Sequence, residues 1–254
     1  MKLTLPDKSI RDLKNGSTGF DLAKDIGPGL AKAAVAVSVD GVQKDLHDPI
    51  MHDANISIIT IDSEEGLEIM RHTLAAQVLA RAVKNLYPKS KLAIGPTIKD
   101  GFYYDVECKE TISIDDLKKI EKEMDKIVKT KSSITKKLLS KKDALKVFKD
   151  KDESYKEEII NDSDQEDEFQ LYYQDDEDFV DLCKGPHLPN LNFIGAYKLT
   201  TISGAYWKGD SSNTMLTRIY GTAWSNEKDL NEHLNNIEEA QKRDHRKLVK
   251  EMDC

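Results

Sequence analysis

The first sixty residues alternate short apolar runs with turn residues, a pattern typical of a small domain that packs a helix across a sheet. A helix is predicted to begin near Thr18 or Asp21, and Gly27-Pro28-Gly29 is predicted to end it. Asp40-Gly41 is a hairpin-turn signal. Four runs have the length and composition of strands: Lys2–Leu5, Ile10–Leu13, Ala34–Val39 and Ile56–Ile61. The pattern therefore predicts an α+β unit over residues 1–61.

Residues 62–224 combine amphipathic helices with strands. Apolar residues recur at helical spacing from Ser63 to Tyr87, where Pro88 ends the longest helix of the first half. Two Ser-x-x-Asp capping signals, at Ser113 and Ser140, each precede a further helix. The strands predicted here are Lys91–Ile94, Phe102–Tyr104, Leu171–Tyr173, Phe179–Leu182, Tyr197–Ile202, Ala205–Trp207 and Met215–Tyr220. The fold class predicted for the whole chain is α+β.

The last thirty residues, 225–254, are predicted to form one charged helix. It begins near Asn226 and reaches Cys254 without a glycine or proline to stop it. Five apolar residues share one seam of this helix: Leu230, Leu234, Ile237, Leu248 and Met252.

Composition places the chain among soluble globular proteins. Its 254 residues are 39% hydrophobic and 33% charged, which excludes a disordered or fibrous protein. No apolar run approaches the ~20 residues that a membrane-spanning helix requires, so we expect no membrane contact. The N-terminal segment lacks the apolar core of a signal peptide. Three widely spaced cysteines argue against a disulfide framework, and we expect a cytoplasmic protein.

The charge is segregated along the chain. The net charge is −8, but Lys118–Lys156 holds 14 lysines against 7 acids, whereas Glu157–Phe179 holds 11 acids and no base. Contacts with phosphates depend on local patches rather than on the net charge, so the basic stretch is compatible with nucleic-acid binding. A solvated surface is the alternative for each of the two runs.

Two histidines and a cysteine are the strongest candidates for chemistry. His72 lies on the inward face of the long predicted helix, and Cys183-x-x-x-His187 follows a predicted strand. They offer three ligands to a metal, whereas a structural zinc site needs four and a catalytic one takes three plus water. Alternatively, His72 or His187 orients or deprotonates a water without metal, while Asp181 and Lys156 set charge and position. The residues alone leave both chemistries open.

Several segments in order resemble the N-terminal half of the bacterial threonyl-tRNA synthetase family. They include RHTLAAQVLARAVKNLYP, AIGPTIKDGFYYD, SYKEEII, VDLCKGPHLPN, KLTTISGAYWKGDSSNTMLTRIYGTAW and EEAQKRDHRKLVKEMD. The opening LPDKSIRDL and DLAKDIGPGLAKAAVA resemble the TGS domain of that family, a small β-grasp unit. The resemblance implies a TGS domain at 1–61, an editing domain of the threonyl/alanyl-tRNA synthetase type at 62–224, and a linker helix at 225–254.

The resemblance implies an editing hydrolase, which removes serine mischarged onto threonine tRNA. Serine and threonine differ by one methyl group, which a binding pocket discriminates by only about 1–3 kcal/mol, so a second hydrolytic sieve is needed. The His-x-x-x-His and Asp-x-Cys-x-x-x-His patterns of the family, with its pocket lysine, imply these site positions: His72, Ala76, Asp181, Cys183, His187 and Lys156. The family's pocket works without metal, so the resemblance implies no metal here.

Aromatic and basic residues supply candidates for substrate contacts. Three tyrosines are candidates for the pocket wall, with core packing as the alternative: Tyr103, Tyr104 and Tyr206. Four lysines of the basic stretch, taken as part of Lys-rich helices, are candidates for binding acceptor-stem phosphates of threonine tRNA: Lys136, Lys137, Lys141 and Lys142. A solvated amphipathic helix is the alternative for these lysines.

Two departures from the family modify the expected function. Ala76 replaces the second histidine of the helix pair, and loss of one positioned acid–base group costs about 10²–10⁴-fold in rate. Gln77 points about 100° away on a helix and is a doubtful substitute. The catalytic domain, to which the ATP and zinc of the family belong, has no counterpart here. We therefore expect no cofactor in this chain and no aminoacylation by it alone.

Three hypotheses follow. The chain is an editing hydrolase for Ser-tRNA(Thr), acting in trans or with a separate catalytic chain. It is otherwise a non-catalytic module that binds the tRNA acceptor stem, or an inactive remnant of a split or truncated synthetase gene. Ala76 favours the last two, whereas the intact Asp181, Cys183, His187 and Lys156 favour the first.

Overall fold

The structure, a computed structural model, describes residues 1–175 and 179–253. Part of the acidic run, at 176–178, and the terminal Cys254 lie outside the described residues. The described elements combine helices with three sheets, so the predicted α+β class is confirmed.

The first sheet has five strands in the order β2-β1-β5-β3-β4. Its strands are β1 (Lys2–Thr4), β2 (Ile10–Asp12), β3 (Ala34–Val39), β4 (Val42–Asp45) and β5 (Ala54–Thr60). Helix α1 (Gly19–Ile26) packs across it, and Thr18 caps this helix with Asp21 in a reciprocal capping box. Helix α1 ends at Ile26 with Gly27 as its C-cap, as predicted from Gly27-Pro28-Gly29. A second helix, α2 (Pro28–Ala33), begins there because proline is well suited to the first helical position.

A long helical rod connects this sheet to the rest of the chain. It consists of α3 (Glu64–Thr73), a π-helical segment (Leu74–Leu79) and α4 (Ala80–Leu86). Ser63 caps the start by accepting a hydrogen bond from the backbone of Gly66. All six residues of the π segment are buried. Apolar periodicity predicted the rod but not its π segment, and π-helical turns often occur at functional sites.

The second sheet packs against this rod. Its strand order is β12-β13-β8-β6, and the short β7 pairs with β8. The strands are β6 (Lys91–Leu92), β7 (Thr97–Ile98), β8 (Gly101–Glu107), β12 (Ala196–Tyr206) and β13 (Met215–Trp224). The two strands predicted within 197–207 are one strand, β12, whose register shifts between Leu199 and Thr201. The prediction divided the strand at Ser203-Gly204, but both residues pair with β13, opposite Arg218 and Thr217, so the strand continues through them.

The third sheet is small and antiparallel, in the order β11-β10-β9. It consists of β9 (Ile134–Leu139), β10 (Phe169–Gln174) and β11 (Val180–Leu182). Helix α6 (Lys141–Asp150) packs on this sheet and against α7 (Ser154–Asp162), whereas α5 (Leu117–Lys129) packs on the helical rod and β12. Both β9 and α7 were missed by the sequence prediction. Lys136 and Lys137 therefore lie on a strand and not on a helix.

The final helix is α8 (Glu227–Met252), which Asn226 caps through the backbone of Asp229. Of its predicted apolar seam, Leu230 is buried against the fold, whereas Leu248 and Met252 are 58% and 84% exposed. None of the helices in the described part of the chain has both the length and the apolarity needed to cross a membrane.

Candidate active site

A cavity of about 460 Å³ lies between the helical rod and the third sheet. Five of the predicted site positions line it: His72, Ala76, Lys156, Asp181 and Cys183. The wall is completed by backbone and side chains from other elements, among them Gly95, Phe169, Gln170 and Lys184. Its volume is within the range of small-molecule sites in proteins. Residues far apart in sequence therefore meet at one concave surface, as the resemblance implies.

Lys156 and Asp181 form a buried ion pair at the base of this cavity. The ammonium lies 2.7 Å from Asp181 Oδ1, and the two side chains are 3% and 2% exposed. Lys156 also donates to Ala93 O at 2.6 Å and to Tyr104 Oη at 3.0 Å. An ammonium has three protons, so all three are used inside the protein. Lys156 therefore fixes Asp181 and has no proton left for a substrate.

Tyr104 completes the buried network. Its hydroxyl donates to Asp181 Oδ2 at 3.1 Å, and the backbone of Leu182 donates to Oδ1 at 2.8 Å. Burial raises the pKa of Tyr104 well above its ordinary value, so the hydroxyl stays protonated. Burial also raises the pKa of Asp181, and the Lys156 ammonium opposes that shift. Tyr104 is thus a support beneath the cavity, not a residue of its wall.

His72 and Cys183 lie next to each other on the cavity wall, within hydrogen-bonding distance. The distance from Cys183 Sγ to His72 Nε2 is 3.2 Å, and the backbone of Gly185 donates to the same sulfur at 3.2 Å. Burial lowers the pKa of His72 to about 4 and raises the pKa of Cys183 to about 12. At neutral pH the pair is therefore a neutral imidazole and a thiol, and not the thiolate that a cysteine nucleophile needs.

His187 lies behind His72 and does not line the main cavity. The centroids of the two rings are 4.6 Å apart, and the Tyr172 ring packs nearly perpendicular to the His187 ring at a centroid distance of 4.5 Å. The ring lines a second cavity, of about 410 Å³, together with Asp45 and other residues of the first unit. Burial and the neighbouring His72 hold the pKa of His187 well below its ordinary value. His187 is therefore neutral and screened from the main cavity.

The first unit contacts this site directly through Asp45. One carboxylate oxygen accepts from the backbone of His187 at 2.9 Å, and the other accepts from the Tyr172 hydroxyl at 2.7 Å. The Lys136 ammonium joins Asp45 at 3.1 Å and Asp48 at 2.7 Å. Sequence reasoning missed Asp45 and Tyr172, because Asp45 and His187 are 142 positions apart and no local pattern marks either residue.

One group of metal-binding side chains occurs among residues 1–175 and 179–253. One ligand atom from each of His72, Cys183 and His187 lies within 4.8 Å of the others. Two imidazoles and a thiol are a donor set that zinc accepts, but a closed site needs a fourth ligand. Ala76 provides none. That this site holds no metal remains a prediction.

The remaining tyrosine candidates lie away from the cavity. Tyr103 occupies the opposite face of β8 from Tyr104, since side chains alternate along a strand, and the Arg218 guanidinium stacks on its ring at 3.9 Å. Tyr206 is 40% exposed at the end of β12. Neither residue lines the 460 Å³ cavity, so both predictions as pocket walls disagree with the geometry.

The four lysine candidates have different surroundings. Lys136 is committed to Asp45 and Asp48 between the units, which disagrees with its prediction as a phosphate contact. The Lys137 ammonium lies 4.5 Å above the ring of Tyr173. Lys141 donates to Ser163 O at 2.9 Å, and Lys142 is exposed. The last two border a shallow depression on α6.

Acid will destabilise the fold through His72. As the pH falls below the ordinary pKa of 6.5, the unfolded chain takes up a proton that the folded chain resists until about pH 4. The unfolded state binds more protons in this window, so the free energy of unfolding decreases between about pH 6.5 and 4, by up to about 3 kcal/mol from this residue. Urea unfolding across this range measures the slope. His72→Gln should flatten it, and an unchanged slope would contradict the assignment.

Two domain families match the sequence. The TGS domain family matches residues 1–60, and the family described as the threonyl and alanyl tRNA synthetase second additional domain matches residues 170–220. Several relatives match nearly the whole chain. Threonine--tRNA ligase of Prochlorococcus marinus (strain MIT 9211) is 47% identical over 251 residues, which are 99% of this chain and 39% of that protein.

Two other threonine--tRNA ligases match the chain to a similar extent. That of Francisella philomiragia subsp. philomiragia is 48% identical over 253 residues, which are 100% of this chain and 39% of the relative. That of Psychrobacter cryohalolentis is 45% identical over 251 residues, which are 99% of this chain and 38% of the relative. The chain is homologous to the N-terminal region of threonine--tRNA ligases. It spans about 39% of the length of these relatives.

The homology to threonine--tRNA ligases confirms the resemblance to the threonyl-tRNA synthetase family that the sequence motifs indicated. The second matched domain contains Asp181, Cys183 and His187, whereas His72 and Ala76 lie between the two matched segments. The site is therefore assembled from a recognised domain and from the helical rod that precedes it. The roles of the individual side chains are not decided by these matches and remain predictions.

Proposed function

We propose that this chain is an editing-type hydrolase for Ser-tRNA(Thr), weakened by Ala76. The observation that carries the proposal is the single cavity in which His72, Cys183 and the Lys156–Asp181 pair meet. Homology to threonine--tRNA ligases supplies the substrate class. The one-methyl difference between serine and threonine explains why a hydrolytic second sieve would be needed.

The reaction is hydrolysis of the ester that joins serine to the terminal ribose. Water adds to the ester carbonyl, the bond from that carbon to the ribose oxygen breaks, and a proton from the water ends on the ribose oxygen. His72 is the one imidazole on the wall of the main cavity among the described residues. A neutral imidazole with a pKa near 4 orients a water well but is a weak base at neutral pH. We therefore expect slow hydrolysis.

Other groups on the cavity wall are suited to holding the substrate. Lys184 and Gln170 supply polar atoms at the wall, and Phe169 supplies an apolar surface. Asp181 is held rigidly by Lys156 and Tyr104, which favours a fixed acceptor at the base of the pocket. Preorganised groups of this kind orient a substrate without reorganising during reaction.

The proposal is tested with purified chain and tRNA charged with serine or threonine. We expect the chain to release serine from Ser-tRNA(Thr) faster than buffer alone, and to leave Thr-tRNA(Thr) intact. Equal rates with and without the chain would contradict hydrolysis. We propose that the reaction takes place in the cytoplasm, in trans or beside a separate catalytic chain, and addition of a catalytic chain to the assay distinguishes these two arrangements.

A non-catalytic tRNA-binding module is the second candidate. Two observations favour it: Ala76 removes a helix imidazole, and Lys156 has all three protons bound within the protein. If the chain is such a module, it should bind threonine tRNA tightly without releasing serine. Filter binding performed alongside the deacylation assay separates the two functions.

Charge reversal on α6 should weaken tRNA binding. Lys142, Lys146 and Lys149 line a depression on this helix, where they can contact phosphates without breaking the ion pairs of Lys136. Changing the three residues to Glu should lower affinity and reduce the salt dependence, by about one unit of slope per lost phosphate contact. A matched control changes three exposed lysines of α8 to Glu: Lys242, Lys247 and Lys250. Equal losses in both variants would show net charge, and not α6, to be responsible.

A further inference from the structure

Thr73 lies at the centre of a buried cluster between the helical rod and the chain after β11. Its hydroxyl oxygen is 2.9 Å from Ile69 O, 3.0 Å from His187 Nδ1 and 3.0 Å from the backbone nitrogen of Leu188. Thr73 has no exposed surface, and His187 is 2% exposed. Water therefore does not compete for these bonds, and the protons must be shared among the protein groups.

Counting protons assigns the direction of each bond. The backbone of Leu188 can only donate and Ile69 O can only accept. The single hydroxyl proton of Thr73 therefore satisfies Ile69 O, and the hydroxyl oxygen accepts from Leu188 and from His187 Nδ1–H. All three contacts are then hydrogen bonds. The reverse assignment, with the hydroxyl donating to Nδ1, leaves the 2.9 Å contact between two oxygens without a proton.

We propose that Thr73 is a positioning residue that fixes His187 in the tautomer with its proton on Nδ1 and a lone pair on Nε2. His187 Nε2 is buried and has no partner among the described residues. This arrangement leaves a lone pair on a buried nitrogen beside the His72–Cys183 pair, so His187 acts on the main cavity through its neighbour His72 and not by touching the substrate. The effect on rate rests on the proposed function, but the tautomer assignment does not.

The surroundings of His187 keep the ring in this orientation. The ring of Tyr172 packs against it nearly perpendicular and the ring of His72 packs against it at a tilt, with centroid distances of 4.5 and 4.6 Å. Asp45 holds the backbone nitrogen of the same residue. Rotating the ring by half a turn would replace Nδ1 by a carbon and lose the bond to Thr73. A change at Thr73 therefore acts on the tautomer more than on the position of the ring.

Nitrogen NMR of histidine-labelled protein tests the tautomer directly. The two ring nitrogens of His187, assigned by their loss in His187→Gln, should show a protonated Nδ1 and an unprotonated Nε2 at neutral pH. Thr73→Ser retains the hydroxyl and should preserve this pattern. Thr73→Val has nearly the same shape without the hydroxyl and should shift protons toward Nε2. A protonated Nε2 in the wild-type chain would overturn the proposal, whatever the variants do.

Deacylation supplies a second readout. Thr73→Val should lower the single-turnover rate constant by about 10²-fold while tRNA affinity stays unchanged, and Thr73→Ser should restore the rate. Equal rates for Thr73→Val and the wild-type chain would overturn the positioning role. If the wild-type chain releases no serine, the proposed function fails, and the NMR result still decides the tautomer.

Discussion

Replacing Ala76 by histidine is expected to raise the rate of Ser-tRNA(Thr) deacylation by about 10²-fold or more. Ala76 is 3% exposed. It lies one turn after His72 on the helical rod and lines the same cavity. A second imidazole there could hold the attacking water together with His72. Single-turnover deacylation by the two proteins measures the gain.

A matched control separates chemistry from shape. Ala76→Gln adds a side chain with polar atoms but no base, so it should fill the cavity without the gain. A wild-type rate that Ala76→His does not improve would show that position 76 has no part in the reaction.

A metal-based mechanism predicts a different result for Ala76→His. The added imidazole would join His72, Cys183 and His187 as a fourth ligand, and the variant would then bind zinc. Zinc content of both proteins, measured beside their rates, distinguishes the mechanisms. We expect the gain in rate without zinc, as the resemblance to the threonyl-tRNA synthetase family implies.

Replacing Lys156 by methionine is expected to lower the free energy of unfolding by about 3–5 kcal/mol. The change leaves the buried Asp181 carboxylate without its partner at 2.7 Å, while Met has a similar length and no charge. Deacylation should fall as well, because Asp181 would no longer be held in place. Urea denaturation at neutral pH measures the loss of stability.

The double variant Lys156→Met with Asp181→Asn supplies the control. Asparagine removes the unpaired charge and can still accept from the backbone of Leu182. We therefore expect it to recover most of the stability. If Lys156→Met alone were as stable as the wild-type chain, this would contradict the interpretation that the buried Asp181 carboxylate depends on Lys156 for its charge compensation.

Helix α5 shows what the sequence predicts well. Ser113 and Asp116 form a capping box, and the apolar residues at helical spacing behind them, such as Ile120 and Met124, are fully buried. These signals are local, because caps and amphipathic faces depend on residues only a few positions apart. The same explains the accurate prediction of α6 from Ser140.

Strand β9 shows where local signals fail. Its sequence ITKKLL contains two adjacent lysines, which suggest a charged helix. The strand forms because it pairs with β10 along its whole length, and Lys136 is neutralised by Asp45 and Asp48 of the first unit. Both partners are distant in sequence, so no window around Lys136 could have predicted them.

The site was only partly predictable for the same reason. The resemblance implied that His72, Cys183 and Asp181 share one site, and the structure places all three on the wall of one cavity. The only sequence feature that points to Thr73 is its position next to His72. Its contact with His187 joins residues 114 positions apart, so no local pattern predicts it. The screening of His187 from the main cavity also depends on packing that spacing does not encode.

The most direct test of the central claim is the single-turnover release of serine from Ser-tRNA(Thr) by the wild-type chain and by His72→Ala. The His72 ring lines the cavity at 3.2 Å from Cys183 Sγ, and no other imidazole among the described residues lines it. We predict release by the wild-type chain at a slow rate above that of buffer, and a rate equal to that of buffer for His72→Ala. Serine release that persists unchanged in His72→Ala would contradict the assignment of this cavity as the hydrolytic site.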